Sequence, residues 1–259
     1  MNIQKLKRMI PSVLFCALTG MLAAAMAAPV LLTCVSSFES GISEYADFLL
    51  WKPIYLKAFM NSVILSGSAA LISAAISIPA AYVFAKVRFR GSSILFYGYV
   101  IVMMMPFQVT LLPQYMVSKA VSIYDTLFAV IIPSAFNPFA AFLLTQIMKT
   151  IPDEYIEAAR LDTGSTLRIL WHIIVPAMQT GIICTFVLLF TENWNMVEQP
   201  LILMETFEKY PLSVMIADFS EKTGTGGLAA SVVFMIPPLL LYMFFKEEIT
   251  EGLASYKLK

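Results

Sequence analysis

The chain has 259 residues, of which 59% are apolar and only 13% charged, and 17 basic side chains balance 17 acidic ones. Soluble domains carry about 25% charged residues, so this composition excludes an ordinary soluble enzyme and a disordered protein. The absence of a basic excess argues against nucleic-acid binding. Three cysteines in apolar stretches are too few for a disulfide framework. The composition therefore predicts an integral membrane protein.

Six stretches without Lys, Arg, Asp or Glu are long enough to cross a bilayer, which takes about 20 apolar residues. They are 9–38, 58–85, 91–118, 126–148, 169–191 and 223–245. Because hydrocarbon offers the backbone no hydrogen bonds, each stretch is predicted to be a helix. The first also resembles a cleaved signal peptide, with small residues at 23–28, but its apolar run continues to Val35 and favours a retained helix.

The basic residues predict the orientation of these helices. With both termini in the cytoplasm, twelve Lys and Arg lie on inner segments and five on outer ones, as the positive-inside rule requires. The protein is thus expected to be a multi-pass protein of the plasma (inner) membrane. Two connections stand out, and we name them after their predicted sides: the inner loop (150–176) and the outer loop (195–226).

The inner loop is predicted to begin with a short amphipathic helix. Thr150 can cap this helix, and Pro152 suits its first turn. By helical spacing, one face collects Ile151, Tyr155, Ala158, Ala159 and Asp162.

A second short helix is predicted after Gly164 and Ser165, which interrupt the first helix and offer a new cap. One side of it carries Leu167, Leu170, Trp171 and Ile174. Two short helices joined by small residues are typical of a surface that receives a partner protein. An amphipathic hairpin lying on lipid headgroups is the alternative.

The inner loop also resembles a known motif. Glu-Ala-Ala at 157–159, followed at the expected distance by Ile-Ile-Val-Pro at 173–176, is similar to the EAA loop of ATP-binding-cassette (ABC) importer permeases. Thr163 stands where that motif has glycine, with Gly164 next to it, and Val175 replaces leucine. We therefore expect the turn to use Gly164 for an unusual backbone dihedral.

Weaker cues extend the resemblance over most of the chain and point to the carbohydrate branch, most closely the maltose-type permease subunit. They are Asn61-Ser62, Ala80-Ala81-Tyr82, Met105-Pro106-Phe107-Gln108, Ile151-Pro152, Trp194-Asn195, Tyr210-Pro211-Leu212 and Pro237-Pro238. The implied fold is all-α and polytopic, with six transmembrane helices: the type I ABC importer permease fold. In this fold, residues 1–58 would form the N-terminal tail, the first helix and an external loop. Residues 59–246 would form the permease core of five helices, and residues 247–259 would form a cytoplasmic tail.

The resemblance implies a permease subunit of an ATP-driven, binding-protein-dependent importer for a sugar or oligosaccharide, working by alternating access. Its implied partners are a second, different permease, two ATP-binding subunits or a homodimeric ATPase, and an external solute-binding protein, assembled in a lipid bilayer. The chain has no G-x4-G-K-[ST] phosphate loop and one histidine, His172. We therefore predict no catalytic residue, metal site or cofactor in this chain, because the partner ATPase would bind ATP and Mg²⁺.

Each predicted step has candidate residues. The resemblance assigns ATPase coupling to Glu157, Ala158, Ala159, Thr163, Gly164 and Pro176. In this hypothesis Glu157 makes a polar contact with the ATPase, the two alanines allow close packing, and Gly164 is the hinge of a lever at 152–171. The outer loop is expected to contact the binding protein through Tyr210, Pro211 and Leu212.

Polar side chains in or near the spans are the candidates for the substrate pathway: Asn61, Gln108, Asn137, Asn193, Trp194 and Asn195. Amides both donate and accept hydrogen bonds, which suits a neutral hydroxylated solute. Contacts between helices are the alternative role for the amides, and anchoring at the membrane interface is the alternative for Trp194.

Three alternative functions stay open at this point. A permease of the same class could carry a polyamine or a phosphonate. A secondary transporter would need no ATPase, but ion-coupled carriers place ionisable groups at mid-membrane depth, and the six spans have none near their centres. A structural membrane scaffold would have no solute-dependent role.

Overall fold

The computed structural model describes residues 3–39, 41–46, 48, 53–216 and 226–254. Parts of the predicted outer loop (217–225) and of the predicted cytoplasmic tail (255–259) lie outside the described residues. The chain divides into two compact units, one formed by Met1–Pro53 with Ile216–Val233 and the other by Ile54–Met215 with Phe234–Lys259.

In the first unit, the helices are α1 (Ile3–Glu39) and α2 (Ile42–Ala46). Apolar side chains of α1 from Phe15 to Phe38 are largely exposed, as expected of a helix whose surroundings are lipid. The Ser37 and Tyr45 hydroxyls form a hydrogen bond of 2.6 Å, which ties the end of α1 to α2.

The second unit contains most of the remaining helices. They are α3 (Pro53–Lys86), α4 (Ser92–Met103), α5 (Phe107–Ala120), α6 (Leu127–Ala135), α7 (Pro138–Lys149), α8 (Asp153–Asp162), α9 (Thr166–Ile169), α10 (Val175–Ala177), α11 (Gln179–Trp194) and α12 (Glu198–Leu203). A π-helical turn, Leu170–Ile174, links α9 to α10, and a 3₁₀ turn covers Phe207–Lys209. The last helix, α13 (Gly226–Ala254), has residues in both units.

Six membrane-crossing elements can be counted in the described part of the chain. Four are helical stretches long and apolar enough to cross, and two are bent pairs, α4 with α5 (93°) and α9–α10 with α11 (78°). The first bend falls at Pro106, which lacks the N–H that would continue a helix. The predicted all-α, six-helix membrane fold is confirmed when each bent pair counts as one span.

An apolar cluster packs the inner loop against the helices that precede and follow it. It contains Tyr82 of α3, Met148 of α7, Ile156 and Ala159 of α8, and Ile174 of the π-helical turn. Since these side chains are all buried, the inner loop is part of the folded body rather than a free surface segment.

Candidate functional site

The start of α8 differs from the sequence prediction. Thr150 does not cap α8; its hydroxyl donates back to the Ile147 carbonyl (2.7 Å), and it ends α7. Pro152 precedes α8, and no side chain caps that helix. The second predicted cap is confirmed, because the Ser165 hydroxyl accepts a hydrogen bond from the Arg168 N–H at the start of α9.

The predicted face of α8 is confirmed for Ile151 and Ala159, which are buried, and wrong for its other three residues. Ile156 and Ala159, three residues apart, point into the apolar cluster, whereas Tyr155, Ala158 and Asp162 are exposed. The reason is that Ile156 and Ala159 match the space left between α3, α7 and the π-helical turn. Ala158 is therefore available to a partner, but Ala159, 4% exposed, packs inside its own chain.

The second helix of the inner loop departs from its prediction in the same way. Leu170 and Ile174 are buried as expected, but Leu167 and Trp171 are exposed and Ile169 takes an inward position. The π-helical turn contributes to the difference, because it changes the spacing of side chains relative to an α-helix. Pro176 is exposed and lies at the start of α10.

The elbow of the inner loop is built by Thr163 rather than by glycine. Thr163 has an extended backbone (φ −150°, ψ 137°), and its hydroxyl accepts from the Ser165 N–H at 3.3 Å. Among the described glycines, the left-handed region holds Gly41 and Gly91 but not Gly164, so the predicted unusual dihedral at Gly164 is wrong. A β-branched residue favours the extended conformation seen here.

A polar cleft of about 280 Å³ lies beside α8 and contains Glu157. Lys86, at the end of α3, donates to Asp153 Oδ1 (2.7 Å) and to the Ile151 carbonyl (2.5 Å). The hydrogen bond from Lys86, together with its charge, lowers the pKa of Asp153. From the sequence, Lys86 appeared only as one basic residue in the orientation count, and no motif marked it.

A cavity of about 530 Å³ lies between α4, α5, α6, α7 and α11. Of the six predicted pathway residues, Asn137 and Asn193 line it, together with five polar side chains that the sequence prediction missed. These are Thr110, Gln114, Ser134, Glu192 and Gln199. Three aromatic rings also line it: Phe107, Phe136 and Phe139. Gln114 and Ser134 are polar residues inside predicted spans, so this signal was present in the sequence.

Hydrogen bonds connect the polar lining of this cavity. Gln199, 1% exposed, accepts from the Ser134 hydroxyl (3.1 Å) and donates to Gln114 Oε1 (2.6 Å). Gln114 in turn donates to the Thr110 hydroxyl (3.1 Å). This chain joins α5, α6 and α12 and fixes where the amides point.

The Asn137 amide has contacts at both ends. Its Nδ2 donates to Glu192 Oε2 at 3.2 Å. Its Oδ1 accepts from the Phe139 N–H and caps α7. Asn137 therefore connects the cavity wall of α7 to that of α11.

The other predicted pathway residues have structural contacts instead. Asn61 donates to the carbonyls of Glu208, Lys209 and Tyr210. Asn195 donates to the Thr191 carbonyl one turn earlier, and Gln108 donates to Glu198. None of these three residues lines the cavity, and their part in the pathway stays a prediction.

Trp194 is neither exposed to a solute nor placed as an interfacial anchor. The side chain is 1% exposed and lies among the rings of Phe59, Phe190 and Phe234. Its indole N–H donates to the Phe234 carbonyl at 3.0 Å. The ring therefore has neither a free face for a sugar nor a free N–H, and Trp194 is a core residue.

Segment 203–212 of the outer loop is held on one side by Asp125. The Asp125 carboxylate accepts from the N–H groups of Glu205 and Thr206, from the Thr206 hydroxyl and from Lys209 Nζ, at 2.6–2.9 Å. Burial alone would raise the pKa of Asp125, but these hydrogen bonds outweigh it and lower that pKa far below its ordinary value. Asp125 has φ +59°, an uncommon conformation that Asp tolerates better than most residues.

On its other side the segment is held by α3. Lys57 pairs with Glu208 (2.8 Å), Asn61 donates to the three carbonyls named above, and the Ser62 hydroxyl accepts from the Leu212 N–H (2.7 Å). Pro211 and Leu212 are buried and Tyr210 is half-buried. The predicted contact at Tyr210, Pro211 and Leu212 is thus corrected, because the side chains exposed for a partner are those of residues 205–208.

Comparison with known families identifies the kind of protein. A family model described as "binding-protein-dependent transport system inner membrane component" matches residues 75–250. The chain belongs to this family. It is therefore a multi-pass membrane component of a transport system, and the resemblance to ABC importer permeases stated from its motifs is confirmed.

Individual relatives agree with the family. The chain is 30% identical over 222 residues to the inner membrane ABC transporter permease protein YcjP of Escherichia coli (strain K12), covering 83% of this chain and 79% of the relative. It is 26% identical over 204 residues to the arabinooligosaccharides transport system permease protein AraQ of Bacillus subtilis (strain 168), and the match covers 78% of this chain and 73% of the relative.

A solved structure gives the fold. The chain matches a subunit of a bacterial ABC transporter that imports the acidic polysaccharide alginate, with a TM-score of 0.80 and 19% identity, over 93% of this chain and 97% of that one. At this identity the match concerns the fold alone. The predicted type I importer permease fold is confirmed.

Proposed function

We propose that this chain is the permease subunit of an ATP-driven importer for a neutral sugar or oligosaccharide, and that it moves solute by alternating access. One observation carries the proposal: the cavity of about 530 Å³. Its volume lies within the range of about 300–1,000 Å³ typical of small-molecule sites.

The lining of the cavity suits a hydroxylated solute. Amides and hydroxyls both donate and accept hydrogen bonds, and the faces of the phenylalanine rings provide flat apolar surfaces. Among the described residues that line the cavity there is no Lys, Arg or His, so a phosphonate or another anion would find no counter-charge in this wall. Glu192 is the one ionisable group of that lining, and it leaves a cationic polyamine as the alternative solute.

The proposed partners follow from the family and its relatives. The family's name makes transport dependent on a binding protein, and the named relatives belong to ABC transporters. We assign ATP hydrolysis to separate ATPase subunits, contact with them to the exposed Glu157 and Ala158 of α8, and completion of the pathway to a second permease. In this arrangement both termini and the inner loop are cytoplasmic, and residues 205–208 contact the binding protein.

The test is uptake by the purified complex, with its binding protein, in lipid vesicles. Labelled arabino- and malto-oligosaccharides are the sugar probes, and spermidine and methylphosphonate represent the competing solutes. We expect ATP-dependent accumulation of a sugar and of neither competitor. Accumulation of spermidine would show that the solute is a polyamine rather than a sugar. Uptake without ATP would contradict the proposal that the complex is an ATP-driven importer.

A pair of variants locates the solute. Phe136→Ala removes a ring from the cavity wall, so the apparent KM for the transported sugar should rise about twofold to twelvefold, since an aromatic contact contributes about 0.5–1.5 kcal/mol. Phe128→Ala is the matched control, because Phe128 is an exposed phenylalanine of α6 outside that lining. Equal KM values for the two variants would exclude this cavity as the sugar site.

A further inference from the structure

Lys86 joins a membrane helix to the inner loop. It is the last residue of α3, and its side chain is only 5% exposed. The ammonium group lies 2.7 Å from Asp153 Oδ1 and 2.5 Å from the Ile151 carbonyl oxygen. One cation thus contacts the first residue of α8 and the connection that leads into it.

Among the described residues, the start of α8 has no side-chain cap, although Ile151 just before it is buried in the apolar cluster. Pro152 occupies the capping position and makes no side-chain cap. Asp153 and Glu154 place negative charge in the first turn, which favours the helix dipole but does not fix the direction of the chain. The two contacts of Lys86 supply this direction, because they hold a carbonyl before the helix and a carboxylate within it.

Lys86 differs from the cations of the other ion pairs. Three ion pairs are present among the described residues, and two of them hold the outer loop through Lys57 and Lys209, whose side chains are 53% and 41% exposed. A buried ammonium group loses water on all sides and depends on its protein acceptors. Lys86 therefore cannot leave Asp153 and Ile151 as freely as a surface lysine leaves its partner.

Lys86 adds directional contacts to the apolar cluster between α3 and α8. Tyr82 of α3 and Ile156 and Ala159 of α8 belong to it, but apolar contacts are non-directional and tolerate sliding. Two short polar contacts at one atom define a pivot, about which the end of α3 and the start of α8 keep their positions.

We infer that Lys86 is a positioning residue that makes α3 and α8 move together, so that force applied to α8 by the ATPase reaches the membrane helices. This inference rests on the proposed function, in which α8 is the contact with the ATPase. Lys86 itself touches neither ATP nor solute in this mechanism.

The experiment uses the purified complex in lipid vesicles with its solute-loaded binding protein. Lys86→Met keeps the length of the side chain but removes its charge and donors. We expect unchanged basal ATP hydrolysis and at least a tenfold fall in solute transported per ATP hydrolysed. Lys86→Arg, which can contact both acceptors, should restore at least half of the wild-type ratio. A merely structural role would instead lower the yield of the complex without changing that ratio.

Two more variants keep the inference testable if Lys86→Met does not assemble. Asp153→Asn keeps a hydrogen-bond acceptor but removes the negative charge of a side chain that is 60% exposed. We expect this variant to transport about threefold less solute per ATP hydrolysed than the wild type. Arg90→Met, which changes an exposed cation outside the lining of that cleft, is the control and should match the wild type. A wild-type ratio in Asp153→Asn overturns the inference. A wild-type complex that transports nothing under ATP would instead overturn the proposed function.

Discussion

The inner and outer loops are both held to α3, but by different kinds of contact. The inner loop packs apolar side chains of α8 into the body of the chain and adds one buried cation, Lys86. Segment 203–212 of the outer loop also has two buried apolar residues, Leu203 and Met204, in a cluster with Leu65 of α3. Its polar contacts are a network of hydrogen bonds, which Asp125 and Ser62 accept and Asn61 donates. In the proposed mechanism, the first arrangement would transmit displacement of α8 into the membrane helices. The second holds one loop conformation and leaves residues 205–208 exposed.

The largest expected effect comes from placing a charge on the buried face of α8, and the comparison with the exposed face tests which face packs inside the chain and which contacts the ATPase. Ala159→Asp puts a carboxylate among the side chains of the apolar cluster, and an unpaired buried charge costs several kcal/mol. We expect no assembled complex on size-exclusion chromatography. Ala158→Asp, on the exposed face, should assemble normally and lose most of the ATPase stimulation by loaded binding protein. Normal assembly of Ala159→Asp would contradict the packing described for α8.

A smaller effect is expected where the outer loop loses its acidic anchor. Asp125→Ala removes the acceptor of four hydrogen bonds, so segment 203–209 should become sensitive to limited proteolysis. The apparent affinity for the binding protein should then fall about tenfold, with basal ATP hydrolysis unchanged. Lys57→Met is the control, because it removes the exposed pair with Glu208 without changing residues 205–208, and such pairs contribute little. Proteolysis at the wild-type rate would show that α3 alone holds the loop.

The pH dependence of these contacts follows from the direction of the pKa shift. Because the folded protein lowers the pKa of Asp125, its contribution is complete above the ordinary carboxyl value of about 4 and is lost only as the pH falls through the lower folded value. Protection of segment 203–209 should therefore stay constant between pH 8 and pH 5. A loss within this window would assign the protection to another group.

The smallest effect concerns the contact between α7 and α11. A Cβ at Gly181 would lie 2.7 and 2.8 Å from two carbons of Ile147, and such overpacking costs about 1–3 kcal/mol. Gly181→Ala should therefore lower the melting temperature of the purified complex. Gly67→Ala is the matched control, since a Cβ there meets nothing within 4 Å. Equal melting temperatures for the Gly181→Ala and Gly67→Ala variants would show that the Ile147 side chain moves aside without loss of stability.

The membrane helices could be predicted from the sequence, because a long stretch without charged residues is a strong indication of a membrane-spanning helix. The sequence did not predict the bend between α9–α10 and α11, where Met178 has φ −114° and ψ 18° next to a π-helical turn. The spacing of apolar residues also mispredicted part of the buried face of α8, because that face is set by the space between helices that are distant in sequence. Among the predicted pathway residues, Asn137 and Asn193 line the cavity. Nothing in the local sequence separates them from Asn61, whose acceptors lie about 150 positions away.

The sharp bend at Pro106 has a consequence for hydration. Met105 and Phe107, on either side of Pro106, line the same cavity as the amides. Irregular backbone within a membrane is tolerated where it borders protein or water rather than lipid tails. In the proposed pathway, the peptide groups of this bend that face the cavity would be open to water, and an arriving solute would exchange its hydration shell for these polar groups in several steps.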